Sequence, residues 1–321
     1  MSLAVDPATI TPIDGGVTVP AGFVAGAATA GLRSSGAPDL ALVAALHGPA
    51  HAAAVFTANR FAAAPVLVAR ETLASSGGRI RGTVINAGCA NAGTGPDGIA
   101  DARRMAAAAA SRLGCQPGEI LPASTGLIGS RLRVDLIEAA MGSLVLGSEP
   151  AVGLAAAHAI MTTDTRPKQA AVRVAGPGAG ITAGGMAKGA GMIHPRMATM
   201  LAVITTDAEA APDLLATVLR DAVELTFNQV SVDGDTSTND AVFLLASGAG
   251  PRVEAGTDVE AALRAGVTSV ARSLAQQIAA DGEGARSRID VLVTGAADDA
   301  AARRVARSVA ASNLVLSLIH I

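Results

Sequence analysis

Lys188-Gly-Ala-Gly-Met-Ile-His-Pro-Arg-Met-Ala-Thr-Met-Leu-Ala-Val-Ile-Thr-Thr-Asp207 is the stretch of this 321-residue chain that decides its fold. Closely spaced glycines lead into an apolar run over residues 198–205, which predicts a buried strand. At its start Thr199 follows the small residue Ala198. A threonine hydroxyl is a weak nucleophile, but it is activated when the residue begins a chain, because its own α-amine then serves as the base. An Ala198–Thr199 junction suits such self-processing.

The rest of the chain alternates short apolar runs, bounded by glycine and proline, with alanine-rich periodic segments. The apolar runs predict strands over residues 24–32, 40–46, 53–57, 83–86, 171–175, 198–205, 241–246 and 289–294. The periodic segments predict helices over residues 65–74, 96–113, 134–146, 151–161, 212–227, 258–280 and 297–311. This alternation predicts a mixed α+β fold in which sheets and helices form layers.

Composition limits the classes of function. Half of the residues are hydrophobic, which is enough for a sizeable core. The net charge is −3 and only 2% of the residues are aromatic, so the basic surface and stacking side chains of nucleic-acid binding are missing. Cys89 and Cys115 form neither a disulfide framework nor a metal-ligand pattern, and no signal-peptide or spanning segment is evident. We expect a cytoplasmic protein without metal, nucleic-acid or membrane partners.

Two kinds of residue stand out as candidates for chemistry. Of 24 basic residues only Lys168 and Lys188 are lysines, whose compact ammonium acts where an arginine fork cannot. Small-residue turns follow predicted strands at residues 86–95 and 124–129. Backbone N–H groups at such turns can form an oxyanion hole, for which Thr125 and Gly126 are the favoured pair, or they can simply make a tight turn.

Three further patterns allow alternative interpretations. Gly178-Ala-Gly180-Ile-Thr-Ala183 fits a loose dinucleotide fingerprint, but the glycines that follow it would break the helix that a pyrophosphate requires. The segment 233–240 has alternating oxygen side chains, yet it lacks the glycine and the glutamate of a calcium loop. Asp281-Gly-Glu283-Gly284 either caps a long helix or presents a carboxylate to an amine.

Together, these segments resemble the bifunctional ornithine acetyltransferase family of arginine biosynthesis, also called glutamate N-acetyltransferase. The matching segments are residues 86–95, 124–129, 161–168, 188–207, 231–240 and 281–285. They follow the order of the family along nearly the whole chain. The resemblance implies a layered αββα sandwich of the self-processing N-terminal-nucleophile type.

The resemblance also implies roles for individual residues. The precursor would cleave itself between Ala198 and Thr199, giving an α chain (1–198) and a β chain (199–321) that form one intertwined unit and pair as α2β2. Thr125 and Gly126 would form the oxyanion hole. The implied substrate contacts are Thr162, Lys188, Thr199 and Glu283, and Thr163 is chemically equal to its neighbour Thr162.

The implied reaction moves an acetyl group from N-acetylornithine to glutamate through an acetyl-threonine intermediate. It needs no cofactor, and acetyl-CoA could serve as an additional donor. In this scheme Lys188 pairs with a substrate carboxylate and Glu283 with a substrate ammonium. A related self-processing aminopeptidase or amidase is an alternative, because water can also hydrolyse an acyl-threonine.

The last residues depart from the family pattern. Family members continue for several tens of residues past the equivalent of Asn313, and they draw further substrate contacts from that region. The apolar residues 316–321 do not resemble it. We therefore expect a truncated chain with an incomplete substrate pocket, and an inactive fragment that serves only as a scaffold remains a further alternative.

Overall fold

A computed structural model describes residues 10–176, 180–193 and 200–318. Within these ranges the strands are β1 (Ile10–Ile13), β2 (Phe23–Ala28), β3 (Leu40–Ala45), β4 (Ala50–Phe56), β5 (Arg79–Ile80), β6 (Gly82–Cys89), β7 (Ile120–Leu127), β8 (Lys168–Val174), β9 (Ile181–Lys188), β10 (Leu201–Thr206) and β11 (Ala241–Ala246). The helices are α1 (Ala64–Ser75), α2 (Gly95–Leu113), α3 (Val134–Ala140), α4 (Pro150–Ala159), α5 (Pro212–Leu225), α6 (Asp258–Ala279), α7 (Asp299–Ala310) and α8 (Asn313–Leu318).

The strands form two sheets that pack face to face. One sheet has seven strands in the order β1-β8-β9-β10-β11-β4-β5, and the other has four in the order β2-β3-β6-β7. Most neighbours are antiparallel, but β10 pairs with β11 and β6 pairs with β7 in parallel. The β6–β7 pair contains Thr125 and Gly126, and β10 of the other pair begins two residues after Thr199.

Alternating side chains explain why both faces of the sheets are buried. In β10, Leu201 and Val203 belong to the core between the sheets, whereas Ala202 and Ile204 face the core beneath α5 and α6. The four-stranded sheet has its own outer core with α2 and α3, to which β3 contributes Leu40. Because side chains alternate along a strand, an entirely apolar strand suits a layer with cover on both sides. The predicted αββα layering is therefore confirmed.

The glycine-rich stretch before the predicted nucleophile contains a strand that the sequence analysis missed. A Cβ atom on Gly184 would lie 2.1 Å from the carbonyl oxygen of Gly16, and one on Gly185 would lie 2.9 Å from Val270 Cγ1. Glycine is therefore required in β9 so that neighbouring segments can approach its backbone closely. Since a strand rather than a helix follows Gly180, the dinucleotide fingerprint does not form.

Other predicted boundaries also need correction. The predicted strand over residues 289–294 is wrong, because this segment has no strand and Leu292 is 87% exposed. The strand predicted for residues 24–32 ends at Ala28, and the helix predicted for residues 134–146 ends at Ala140. The last predicted helix, 297–311, is confirmed as α7 within two residues. None of the described helices is long and apolar enough to span a bilayer.

Candidate active site

The site is centred where the two sheets bring Lys188 and Thr125 together. Lys188 is the last residue of β9, and Thr125 lies in β7 of the other sheet. The Lys188 Nζ donates a hydrogen bond of 3.2 Å to Thr125 Oγ1, and both side chains are buried. Two predicted site residues that are 63 positions apart therefore share one contact.

Gly126, the second predicted oxyanion residue, lies where the pairing of β6 with β7 becomes irregular. The register of this parallel pair shifts at Gly88 and Cys89, and Gly88 and Gly126 both have positive φ, +102° and +128°. A Cβ atom on Gly126 would lie 2.3 Å from the carbonyl carbon of Gly88. Only glycine fits this position, since L-residues rarely adopt such φ values and no space exists for a side chain.

The predicted cut, Ala198–Thr199, lies outside the described residues, but both of its flanks are described. On the far side, the Met200 N–H donates to Asp240 Oδ1 at 2.9 Å. The next residue, Leu201, lies between Lys188 of β9 and Ala241 of β11 in the sheet register. Lys188 is thus a direct strand neighbour of the residue two positions after Thr199.

On the near side, Asp233 holds the segment that precedes the cut. Its carboxylate accepts hydrogen bonds from the backbone N–H groups of Met192 and Ile193. Met192 has φ +56°, which is unusual for a residue with a side chain, and these bonds stabilise that conformation. Asp233 and Asp240 come from one loop, so this loop contacts both flanks of the predicted cut. Its two carboxylates accept hydrogen bonds from backbone N–H groups.

Asn239, in the same loop, joins it to the four-stranded sheet. Its Nδ2 donates to the carbonyl of Ala90 at 2.6 Å and to that of Ser124 at 2.9 Å. Ser124 directly precedes Thr125. The loop therefore positions the oxyanion candidates relative to the start of β10.

The third candidate region surrounds a buried ion cluster of Asp164, Lys168 and Asp281, called here the Lys168 cluster. The Lys168 Nζ lies 2.6 Å from Asp164 Oδ1 and 2.6 Å from Asp281 Oδ2. Asp281 follows α6, and its carboxylate also accepts hydrogen bonds from the backbone N–H and the hydroxyl of Thr165. The amine that this carboxylate binds is therefore the lysine of the protein itself.

Thr162 and Glu283, the remaining predicted substrate contacts, lie in the two chain segments that hold Asp164 and Asp281. The Thr162 N–H donates to Asp164 Oδ2 at 3.0 Å, which leaves its hydroxyl without a partner among the described residues. Glu283 donates its backbone N–H to Ala190 at 2.7 Å. Its exposed carboxylate lies against Gly191 and lines a cavity of about 280 Å³ together with Ser231.

Burial and charge shift the pKa values at the site. Burial lowers the pKa of Lys188, against the opposing charges of Asp164, Asp240 and Glu283. Burial also raises the pKa of Asp240 well above its usual range. At Asp164 burial acts in the same upward direction, but the charges of Lys188 and Lys168 outweigh it, so its pKa is lowered. The site thus holds both shifted acids and a shifted amine, as catalytic sites commonly do.

Arg33 is a candidate that the sequence analysis missed. Its side chain makes no hydrogen bond or ion pair with any described residue, and its Nη2 is buried. The backbone around it is fixed by Asp39, whose carboxylate accepts the N–H groups of Ala30, Leu32 and Arg33. Arg33 and Thr162 line one cavity of about 360 Å³. No motif around Arg33 or Asp39 distinguished them from ordinary loop residues.

Among the described side chains, no group of three or more His, Cys, Asp or Glu could hold a metal ion.

Comparison with known proteins places this arrangement in a family. The profile of the ArgJ family matches residues 24–320. The arginine biosynthesis bifunctional protein ArgJ of Thermosynechococcus vestitus is 47% identical over 310 residues, which are 96% of this chain and 74% of that protein. Its counterpart in Thermus thermophilus is 50% identical over 305 residues, 95% of this chain and 76% of that protein.

Solved structures agree with the sequence comparison. The ornithine acetyltransferase of Mycobacterium tuberculosis, solved in complex with ornithine, is 42% identical and superposes with a TM-score of 0.54, over 58% of this chain and 98% of its own. The L-aminopeptidase D-Ala-esterase/amidase of Ochrobactrum anthropi superposes with a TM-score of 0.52 over 87% of this chain and 93% of its own, at 13% identity, which shows a shared fold. The chain therefore belongs to the ArgJ family and, with it, to the acyltransferases of arginine biosynthesis.

Proposed function

We propose that this protein transfers the acetyl group of N-acetylornithine to glutamate through Thr199, after cleaving itself between Ala198 and Thr199. The α chain would be residues 1–198 and the β chain residues 199–321. The observation that carries the proposal is the buried contact between Lys188 and Thr125, placed beside the strand that begins two residues after Thr199. A cation from β9 and an oxyanion candidate from β7 thus lie next to the start of the strand that follows the proposed nucleophile.

The acylation step uses the new chain terminus. An α-amine has a pKa of about 7.7–8.0, so near neutral pH part of it is free to accept the proton of the Thr199 hydroxyl. The hydroxyl oxygen then attacks the acetyl carbonyl, and Thr125 and Gly126 stabilise the negative charge that forms on the carbonyl oxygen. The C–N bond breaks, ornithine leaves with the transferred proton, and the acetyl group remains on Thr199.

Deacylation reverses these roles. The amino group of glutamate attacks the acetyl-threonine and loses a proton to the α-amine. The C–O bond then breaks, that proton returns to the hydroxyl oxygen of Thr199, and N-acetylglutamate is released. Lys188 would pair with a substrate carboxylate, the exposed carboxylate of Glu283 would pair with a substrate ammonium, and the hydroxyl of Thr162 would be a further contact. Such paired charges explain a preference for amino acids over simple amides.

Two properties of one solved relative support this proposal. The ornithine acetyltransferase of Mycobacterium tuberculosis was solved in complex with ornithine, which fits ornithine as the leaving group here. That chain is covered over 98% of its length by only 58% of this one. This difference in coverage is expected if that chain corresponds in length to residues 1–198 alone. An α2β2 assembly, a cytoplasmic location and the use of acetyl-CoA as a second donor belong to the same proposal.

Mass spectrometry of the intact protein with N-terminal sequencing tests the cleavage. We expect two chains, one of which begins at Thr199, and a single uncut chain for Thr199→Ala. Thr217→Ala is the matched control, because Thr217 is a half-buried threonine on α5 whose hydroxyl bonds to the carbonyl of Asp213 in the same helix. Cleavage of the Thr199→Ala variant at the same bond would refute Thr199 as the nucleophile.

A transfer assay separates the proposed reaction from hydrolysis. We expect consumption of N-acetylornithine to depend on glutamate and to yield one N-acetylglutamate for each ornithine released. Release of acetate at the same rate without glutamate would instead indicate an amidase, the chemistry of the more distant proteins that share the fold.

A further inference from the structure

Both lysines of the chain are buried at the candidate site. The other basic residues are all arginines, yet the exposed fraction is 0% for Lys168 and 3% for Lys188. A buried cation is costly unless carboxylates and hydrogen bonds compensate it, so two such residues side by side require a specific arrangement. Lys188 contacts Thr125 directly, whereas among the described residues Lys168 bonds to two carboxylates and one carbonyl.

Lys168 joins two chain segments that contain predicted substrate contacts. Through Asp164 it connects to the backbone of Thr162 and of Gly189, since Asp164 also accepts the N–H groups of those two residues, at 3.0 Å and 2.7 Å. Through Asp281 it connects to the segment that contains Glu283, two residues further on. The cluster therefore reaches all predicted substrate residues other than Thr199. It binds the backbone of Thr162 and of Gly189, which follows Lys188, and it includes Asp281, two residues before Glu283.

Lysine suits this position better than arginine. One ammonium can place its three donors toward two carboxylates that lie close together, whereas a planar guanidinium would separate them. Asp164 and Asp281 both have lowered pKa values despite burial. The charges of Lys188 and Lys168 favour the ionised form of Asp164, and hydrogen bonds from Lys168 and Thr165 favour that of Asp281. The cluster thus contains two carboxylates for one ammonium, so its net charge is negative and favours a positive charge on Lys188, whose neighbour Gly189 donates its N–H to Asp164.

We propose that the Lys168 cluster is a positioning unit that sets the charge of Lys188, with Asp164 acting on Lys188 as an attracting charge and Lys168 as a repelling one. The groups that act on Lys188 are Asp164, Asp240 and Glu283, which favour its ammonium form, and Lys168 and burial, which oppose it. The charge state of Lys188 thus depends on a balance between nearby carboxylates, which favour the ammonium, and Lys168 with burial, which disfavour it. Asp164 is the strongest of the favourable charges.

A consequence for the substrate follows, and this part rests on the proposed function. A carboxylate of glutamate or N-acetylornithine would bind Lys188 only while Lys188 is an ammonium. The charge balance in the Lys168 cluster would therefore fix the highest pH at which substrate carboxylates bind well.

The two lysines make a direct test possible. Lysine labelled with ¹³C at Cε should give two side-chain signals in NMR spectra of the full chain, and their pH dependence reports each amine. We expect Asp164→Asn to move the titration midpoint of Lys188 to lower pH by about one unit or more, because an opposite charge nearby contributes shifts of that size. Asp101→Asn is the control, since Asp101 is a buried and ion-paired aspartate on α2, with Arg131 as its partner.

A second variant tests the opposite sign. In Lys168→Met with Asp281→Asn one ammonium and one carboxylate are removed together, so the net charge of the cluster is unchanged. We expect the midpoint of Lys188 to rise, because the repelling ammonium is gone. The single remaining lysine signal also assigns Lys188.

The outcomes are distinct. Shifts in opposite directions for the two variants, with no shift for Asp101→Asn, support the proposal, since loosened packing alone would not change sign. An unmoved Lys188 midpoint in Asp164→Asn, or a shift in one common direction, would overturn it. If the double variant fails to fold in thermal unfolding, Asp164→Asn decides alone. These measurements need no turnover, so they remain informative even if acetyl transfer is absent. If transfer is present, the pH above which KM for glutamate rises should follow the NMR midpoint.

Discussion

Gly126 of β7 lies so close to its partner Gly88 of the neighbouring strand β6 that no side chain fits between the two backbones. The missing Cβ atom of Gly126 would lie 2.3 Å from the carbonyl carbon of Gly88, and both residues have positive φ. The predicted oxyanion hole is therefore built at a place where backbone, and not side chains, fills the space. A site of this kind should be very sensitive to one added methyl group.

Gly126→Ala should lower the free energy of unfolding by more than about 3 kcal/mol, because a steric clash adds to backbone strain. Gly129→Ala is the control. Gly129 also has positive φ, +85°, but a Cβ atom there would meet nothing within 4 Å, so only the strain of about 1–2 kcal/mol is expected. Urea unfolding of both variants measures the difference. Equal losses would contradict the close contact.

Asp240→Asn should stabilise the protein, and increasingly so as the pH rises. Burial raises the pKa of Asp240, so over a pH window above its unfolded value of about 3.9 the unfolded chain gives up this proton while the folded protein keeps it. The aspartate therefore costs the parent stability with rising pH, whereas asparagine cannot ionise and still offers an oxygen to the Met200 N–H.

Thermal unfolding across about pH 5 to 8 checks this sign. The difference in Tm between Asp240→Asn and parent should grow with pH. Asp235→Asn, an exposed change in the same loop, should show no such trend. A difference that shrinks with pH would mean that Asp240 is stabilised as a carboxylate.

Lys188→Met should raise KM for glutamate by about tenfold or more, because a buried cation that pairs with a carboxylate contributes several kcal/mol when it is removed. Steady-state kinetics with both substrates measure the effect. The control is Arg103→Met, which removes an exposed cation paired with Glu71 on the surface. Unchanged KM and kcat in Lys188→Met would exclude Lys188 as the substrate-carboxylate contact.

Asn239→Ala should destabilise the protein by about 2–4 kcal/mol, because the buried carbonyls of Ala90 and Ser124 both lose their donor. Asn59→Ala is the matched control, since the amide of Asn59 binds one carbonyl of the same loop at the surface. Chemical denaturation gives both values. A loss no larger than that of the control would mean that Asn239 does not join the loop to the four-stranded sheet.

Local sequence patterns predicted most of the core elements but few of their exceptions. β3, β10 and β11 were accessible because uninterrupted apolar runs are typical of doubly covered strands. β9 was not, since its glycines serve contacts with Gly16 and Val270 that only the folded chain reveals. The apolar run at residues 289–294 has the composition of a strand but finds no neighbouring strand.

The site was predictable where chemistry limits residue choice and hidden where it does not. Lys168 and Lys188 stood out because the chain otherwise uses arginine, and Thr125 because of its small-residue turn. Asp164 and Asp240 were missed, because an aspartate in a loop is most often a simple turn residue. Their roles depend on burial and on which backbone N–H groups they meet, and neither quantity is written in the local sequence.

The order of strands in the seven-stranded sheet has a mechanical consequence. β10 and β11 lie between β9 on one side and β4 on the other, so the part of the chain after residue 199 is inserted between two parts that precede it. A break in the chain between Ile193 and Met200 would leave every strand pairing of the described residues in place. Two chains produced by such a break could separate only by tearing two complete strand pairs apart. The strand pairs of the sheet would therefore keep the two chains together after the peptide bond is broken.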